Sequence, residues 1–386
     1  MGNSKAVTLE KVDISQVEMG VQMKGSGSLT INERTTIQFK GSYGVSVGNS
    51  VTAHLTGVEI KGNKSGTGVI MESSETMTMT DVQISKVEMG VEVSKGDLTV
   101  SGGSITGVKA GIKVMGYGVL KVRDNTRIEF EADGIGVYVG GTVAKAELTK
   151  VEIVGKEKGE GIYAEEGVLM VSGGSITGVE KGITMMGYGR LTVKDNTRIE
   201  FTGEYGIGVY AGDMVMASLT GTKIVGSGNN GVGVYTVGGE VVMKQVDISN
   251  VGTGVGMSGG TLIMKDGEIG FMRAYGVAIE GGAAALMGVN MTYKGDNRDP
   301  QDADVVSPSF IKVDGRGANL AAIKVMITGN KWEQGVGIHG VHITRGGHVV
   351  LKDHMFLFNL LFISHTTSFY SLYLFMFSGM FFLHCV

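Results

Sequence analysis

The chain has 386 residues, with 34 Lys and Arg against 38 Asp and Glu and a net charge of −4, so it lacks the clustered cations that broad nucleic-acid binding requires. Its 65 glycines come with only 2 prolines, Pro300 and Pro308, which excludes collagen. The single cysteine, Cys385, excludes a disulfide framework and a CxxC metal site, and no cofactor motif is present.

The N-terminal MGNSKAVTLEKVDIS has no apolar core of signal-peptide length. It also misses the myristoylation pattern, because Ala6 stands where Ser or Thr is wanted. A landmark then recurs, a glycine followed by Val or Ile. It falls at Gly20, Gly44, Gly68, Gly90, Gly111, Gly134, Gly161, Gly182, Gly206, Gly231, Gly254 and Gly276, about 23 residues apart, a period that signals a solenoid or a propeller.

After each landmark the residues at +1 and +3 are apolar, as in Val21/Met23, Ile112/Val114, Ile135/Val137, Ile207/Val209 and Val232/Val234. The residue between is mostly polar, small or Tyr, which predicts a strand with one buried face. A second alternating run follows, as in Leu29-Thr-Ile31, Met77-Thr-Met79 and Leu98-Thr-Val100. A third precedes the next landmark, as in Val58-Glu-Ile60 and Val82-Gln-Ile84. Three short strands per unit predict an all-β chain, a right-handed parallel β-helix (solenoid) of about 12 or more rungs of about 23 residues. A propeller blade needs about 40 residues, and the Leu/Asn signature of a leucine-rich repeat is missing.

Residues Val100–Phe130 and Val171–Phe201 are near-copies, matching at 24 of 31 positions. The copies differ at Lys109/Glu180, Ala110/Lys181, Lys113/Thr184, Val114/Met185, Val119/Arg190, Lys121/Thr192 and Arg123/Lys194. Only Val114/Met185 is expected inward, so the shift of 71 residues reads as three rungs copied whole, with a drifting solvent face.

Several residues invite a chemical reading. The acids Asp124/Asp195 and Glu129/Glu200 recur in each copy instead of converging, which reads as a solvated exterior and leaves no catalytic assignment. Phe39, Phe130, Phe201 and Phe271 precede landmark glycines and are expected to pack at a corner of the coil, with a carbohydrate-stacking stripe as the rival reading. His339, His342 and His348 fall in GIHGVHITRGGH, but residues three apart on an extended strand are expected on opposite faces, so no metal site is assigned. The landmark falls silent from Gly276 to Gly335, which predicts an inserted loop over about 291–334. Loops on solenoids often carry function, and Asp296, Arg298, Asp299, Asp302 and Asp304 are its binding candidates. Domain 1–353 then gives way to a hydrophobic tail, 354–386, in which no Asp, Glu, Lys or Arg follows Met355. The tail reads either as an out-of-frame extension or as a membrane-associated segment.

The phrases Val17-EMGVQM-Lys24, Val87-EMGVEV-Ser94, DNTRIEF ending at Phe201, Tyr205-GIGVYAG and Leu219-TGTKIVG resemble the passenger domains of bacterial autotransporters, over about residues 6–353. The likeness is to the inducible-autotransporter and angiogenic-factor type. That resemblance implies a cell-surface, outer-membrane or secreted protein acting on a host cell-surface receptor or extracellular matrix. It implies an adhesin or virulence role and, in the angiogenic branch, activation of an endothelial growth-factor receptor. It also implies a signal peptide and a C-terminal barrel, neither of which is visible in this chain. The alternatives are a β-helix polysaccharide lyase or hydrolase, which needs acids and cations to converge across adjacent rungs, and a truncated, non-functional passenger fragment.

Overall fold

The computed structural model describes residues 5–141, 143–228, 230–295, 308–329, 339–353, 355–357, 362–365 and 381–383. The described elements are strands and turns, and the chain divides into two compact units, residues 1–192 and 193–386. In each unit successive turns pair in parallel, strand upon the strand one turn on. The fold is a parallel β-solenoid of a dozen or more turns, as the period predicts.

One inward column is almost pure isoleucine. In the first unit Ile14, Ile37, Ile60, Ile84, Ile105, Ile128, Ile153 and Ile176 stand in register. In the second unit Ile199, Ile224, Ile248 and Ile269 do the same, followed by Met291 and Ile327. The landmark glycines form the matching part. A Cβ on Gly20 would meet the γ2 carbon of Ile37 at 2.5 Å, one on Gly68 that of Ile84 at 2.5 Å, and one on Gly233 that of Ile248 at 2.5 Å. Each glycine thus leaves the space that a β-branched residue of the following turn fills, which is how close packing is reached without a void.

This interlock corrects the expected alternation. Landmark strands have two successive inward positions, the glycine and the residue after it, as in Glu160–Ala164 and Ile207–Ala211. Where the sequence reads Gly-x-Gly, the stacked glycine is the second. Gly136, Gly208 and Gly233 occupy the column, not Gly134, Gly206 and Gly231. The inward pairs are therefore Val137/Val139, Val209/Ala211 and Val234/Thr236, while Ile135, Ile207 and Val232 sit half-buried at the corner. Thr236 is tolerated inside because its hydroxyl donates to the Gly238 carbonyl at 2.7 Å.

The recurring acids belong to a corner. Asp124, Asn125, Asp195 and Asn196 have φ of 58 to 60°, the left-handed conformation that Asp and Asn adopt most readily among non-glycine residues. The threonine that follows is buried, and it closes the turn by donating to the carbonyl three residues back, at 2.7 Å for Thr126 to Arg123 and for Thr197 to Lys194. DNTRIEF therefore encodes, in order, a left-handed corner, its hydroxyl clasp, a ladder isoleucine and a corner phenylalanine.

The phenylalanines are buried, as expected of corner packing and contrary to an exposed stacking stripe. Phe39, Phe130 and Phe201 each lie in a cradle of glycines, whereas Phe271 packs against Tyr293 and Phe310. The Phe130 ring is 2.9 Å from where a Cβ of Gly155 would stand and 3.0 Å from those of Gly134 and Gly159. Phe39 relates in the same way to Gly62 and Gly66, and Phe201 to Gly226 and Gly231.

Much of the segment expected as an inserted loop, about 291–334, is strand. Strands Asn290–Tyr293, Ser309–Asp314, Ala318–Ile323 and Met326–Gly329 all lie wholly or partly within it. The last three pair in parallel with the preceding turn. The landmark falls silent because Phe310 occupies the glycine's register position, opposite Gly276. Its buried ring meets Phe271 edge-on, with centroids 5.1 Å apart. In the next turn Gly340 holds the position, while Gly335 lies outside the described residues. Within the tail, 355–357 and 362–365 pair in parallel with earlier strands and 381–383 pairs antiparallel with 349–351. Among the described residues, no helix is long and apolar enough to cross a membrane.

Candidate functional site

Asp296, Arg298, Asp299, Asp302 and Asp304 lie outside the described residues. The chemistry on view is carried by the outward positions of the strands and by the corners.

The histidines depart from the sequence-based expectation. His339 and His342 share the outward face, with ring centroids 4.9 Å apart and planes 22° from parallel. The two inward positions between them, Gly340 and Val341, restore the same side. Burial and the neighbouring His342 lower the pKa of His339. Burial and Lys312 lower that of His342, against the opposing pull of Asp314. Asp314 is buried and accepts from Arg345 through Nε and Nη2, each at 2.5 Å. That pairing holds its carboxyl well below the usual range, against the cost of burial. Lys312 lies 3.5 Å from Asp314 and 5.0 Å from the centre of the Tyr275 ring. His348 stands on another strand, in register with Asn319. Among the described residues, no three His, Cys, Asp or Glu side chains gather around one point that could hold a metal ion.

Acids and a cation do converge in the first unit. Arg127 reaches Glu152 of the next turn at 2.5 Å and Glu129 of its own strand at 3.1 Å, and Lys156 reaches Glu131 at 2.7 Å. These carboxylates accept from cations of their own face. A glycosidase needs two carboxyls flanking a scissile bond, and both carboxylates at Arg127 are instead turned to one guanidinium.

The outward column of the landmark strands in the first unit runs Gln22, Ser46, Ile70, Glu92, Lys113, Tyr138, Tyr163, Thr184. Tyr138 and Tyr163 stack with centroids 5.5 Å apart and planes 9° from parallel. The Tyr138 hydroxyl donates to Glu165, which with burial pushes its pKa up to about 12. Ser46 and Thr184, both expected to be solvent-facing, are buried. In the second unit Tyr210 and Tyr235 stack likewise. Sequence reading missed these ladders, although tyrosines at +2 of successive stacked glycines are their signal.

The corner after the landmark strand is apolar at two levels. Met115, Tyr117, Met186 and Tyr188 are 48, 56, 43 and 67 % exposed. All four are identical between the copies, as are the exposed corner residues Asp124/Asp195 and Asn125/Asn196, whereas the exposed Lys109, Lys121 and Arg123 are replaced.

Comparison with known proteins matches residues 1–144 to the family model described as a right-handed β-helix region. No curated protein and no solved structure matches the chain. The fold class is therefore a parallel β-helix, the architecture of passenger domains and of polysaccharide-active domains alike.

Proposed function

We propose that this chain is an autotransporter-type passenger, displayed at the cell surface or secreted, that acts as an adhesin or a host-receptor-binding virulence factor. One observation carries the reading. Beside an inward column of Val and Ile, the outward column of the first unit changes from Gln, past a buried Ser46, to Ile, Glu, Lys and Tyr from turn to turn. A fold that repeats underneath and varies outside suits recognition over a long face. The phrases shared with autotransporter passengers support the same reading, and the Glu129–Arg127–Glu152 pairing speaks against the hydrolase alternative.

The test is binding of the labelled full chain to endothelial cells and to immobilised matrix, with a deletion of 296–307 in parallel. Saturable binding is expected. No binding to either overturns the proposal, as does cleavage of polyuronate by the purified chain. Equal binding by the deletion places the contact surface on the coil instead of the 296–307 segment.

A further inference from the structure

We propose that the Met/Tyr corner of the first unit is a two-point binding site for a linear neutral polysaccharide running along the solenoid axis. The inference rests on the binding-surface reading above and names a ligand class for one part of that surface.

The corner is built by its glycines. In Met115-Gly-Tyr-Gly118, a Cβ on Gly116 would run into the Ser94 carbonyl and one on Gly118 into that of Gly96. In Met186-Gly-Tyr-Gly189, Gly187 and Gly189 press in the same way on the Glu165 and Gly167 carbonyls. Each tyrosine sits between two residues whose Cα atoms lie flat on the turn below, and it projects outward. The fold needs the glycines; it does not need methionine and tyrosine beside them. Large apolar side chains kept at such exposure mark interaction surfaces.

The two bosses share one edge of the coil. Gly140 N–H donates to the Val114 carbonyl at 2.8 Å, Glu165 N–H to that of Val139 at 2.8 Å, and Met186 N–H to that of Ala164 at 3.0 Å. The corner column therefore reads Met115, Gly140, Glu165, Met186. Three turns at about 4.8 Å put the bosses about 14 Å apart. The saddle between them is formed by Gly140, with the Tyr138 ring and the Glu165 carboxylate against it, by Gly141 and by the exposed Glu166. Glu165 is held in place by the Tyr138 hydroxyl and by the Gly141 N–H.

Repetition and chemistry select the ligand. Two equal contacts in line fit a chain whose own units recur. A phenol ring offers an apolar face with a polar tip, which suits the C–H face of a sugar ring. Carboxylates are acceptors only, so the saddle takes sugar hydroxyls and repels uronates and sulfates. Two weak sites on one chain then bind as one.

The test is affinity electrophoresis of the full chain in gels carrying hydroxyethylcellulose, glucomannan, galactomannan or glycol chitin. Retardation by at least one is expected. Tyr117→Ala or Tyr188→Ala should each weaken it about tenfold, and the double variant should abolish it. Tyr117→Phe keeps the ring and should stay within about threefold. Tyr205→Ala, at a 74 % exposed tyrosine elsewhere, should have no effect. Melting curves establish that the variants fold. No retardation by any of the four, or retardation untouched by the double variant, overturns the inference. If unsubstituted chain still binds cells or matrix while failing every gel, the binding proposal stands and this inference falls.

Discussion

The γ2 carbon of Ile84 lies 2.5 Å from the point that a Cβ on Gly68 would occupy. One residue supplies a methyl and the other supplies its absence, one turn apart. Gly68→Ala should therefore destabilise the fold by about 1–3 kcal/mol through overpacking. Trimming the isoleucine should not rescue it, because the Gly90 carbonyl stands 2.6 Å from the same point. Ile84→Val keeps a γ2 methyl and should cost about 0.5–1.5 kcal/mol, less than Ile84→Ala at about 2–5. Denaturant melts of the four variants check the order.

Phe130 fills space that three glycines leave open. Phe130→Ala should cost about 3–5 kcal/mol. Gly159→Ala should also be costly, since its φ of 88° and its closeness to the ring both oppose a side chain. Thermal unfolding by circular dichroism reads both.

The Thr126 hydroxyl donates inside the corner to Arg123 at 2.7 Å, with Gly102 at 3.1 Å. Thr126→Val preserves shape but removes both hydroxyl bonds, at about 0.5–1.5 kcal/mol each, although the Arg123 carbonyl keeps the Gly102 N–H at 3.1 Å. Thr126→Ser keeps the bond and loses one methyl, about 0.8 kcal/mol. Serine should be the better substitute, the reverse of what apolar burial alone would give.

The stacked histidines make stability depend on pH. Both have folded-state pKa values below the ordinary 6.5, so the unfolded chain binds more protons in that range. Their contribution is complete above about 6.5 and is lost as pH falls through the lowered values. The charged neighbours are Lys312 and Asp314, with Arg345 on Asp314. Asp314 also titrates below its ordinary 3.8, so its contribution is complete above about 3.8 and is lost only at more acid pH, outside the histidine range. His342→Gln should flatten the fall in melting temperature between pH 6.5 and about 5. An unchanged slope would contradict the account.

The period, the three strands and the copied turns were legible because each is written within one turn. What escaped is written between turns. At Gly134-Ile-Gly136 both glycines satisfy the pattern, and only Ile153 stacking over the second decides between them. His339 and His342 seemed opposed because strict alternation ignores the doubled inward position. Phe310 silenced the landmark because its fit depends on Phe271, 39 positions earlier in the chain. The Met/Tyr corner was visible as identity between copies, but identity alone does not separate a turn glycine from an exposed tyrosine.

The isoleucine-over-glycine interlock also sets how such a chain can change its length. Inserting part of a turn would carry every later isoleucine off its glycine, whereas inserting whole turns leaves each pair intact. The spacing from Ile105 to Ile176, three ladder steps through Ile128 and Ile153, is that of the copied segments. The heritable unit of this architecture is the turn. A lineage built on it can lengthen its exterior in steps of about 23 residues without renegotiating its core.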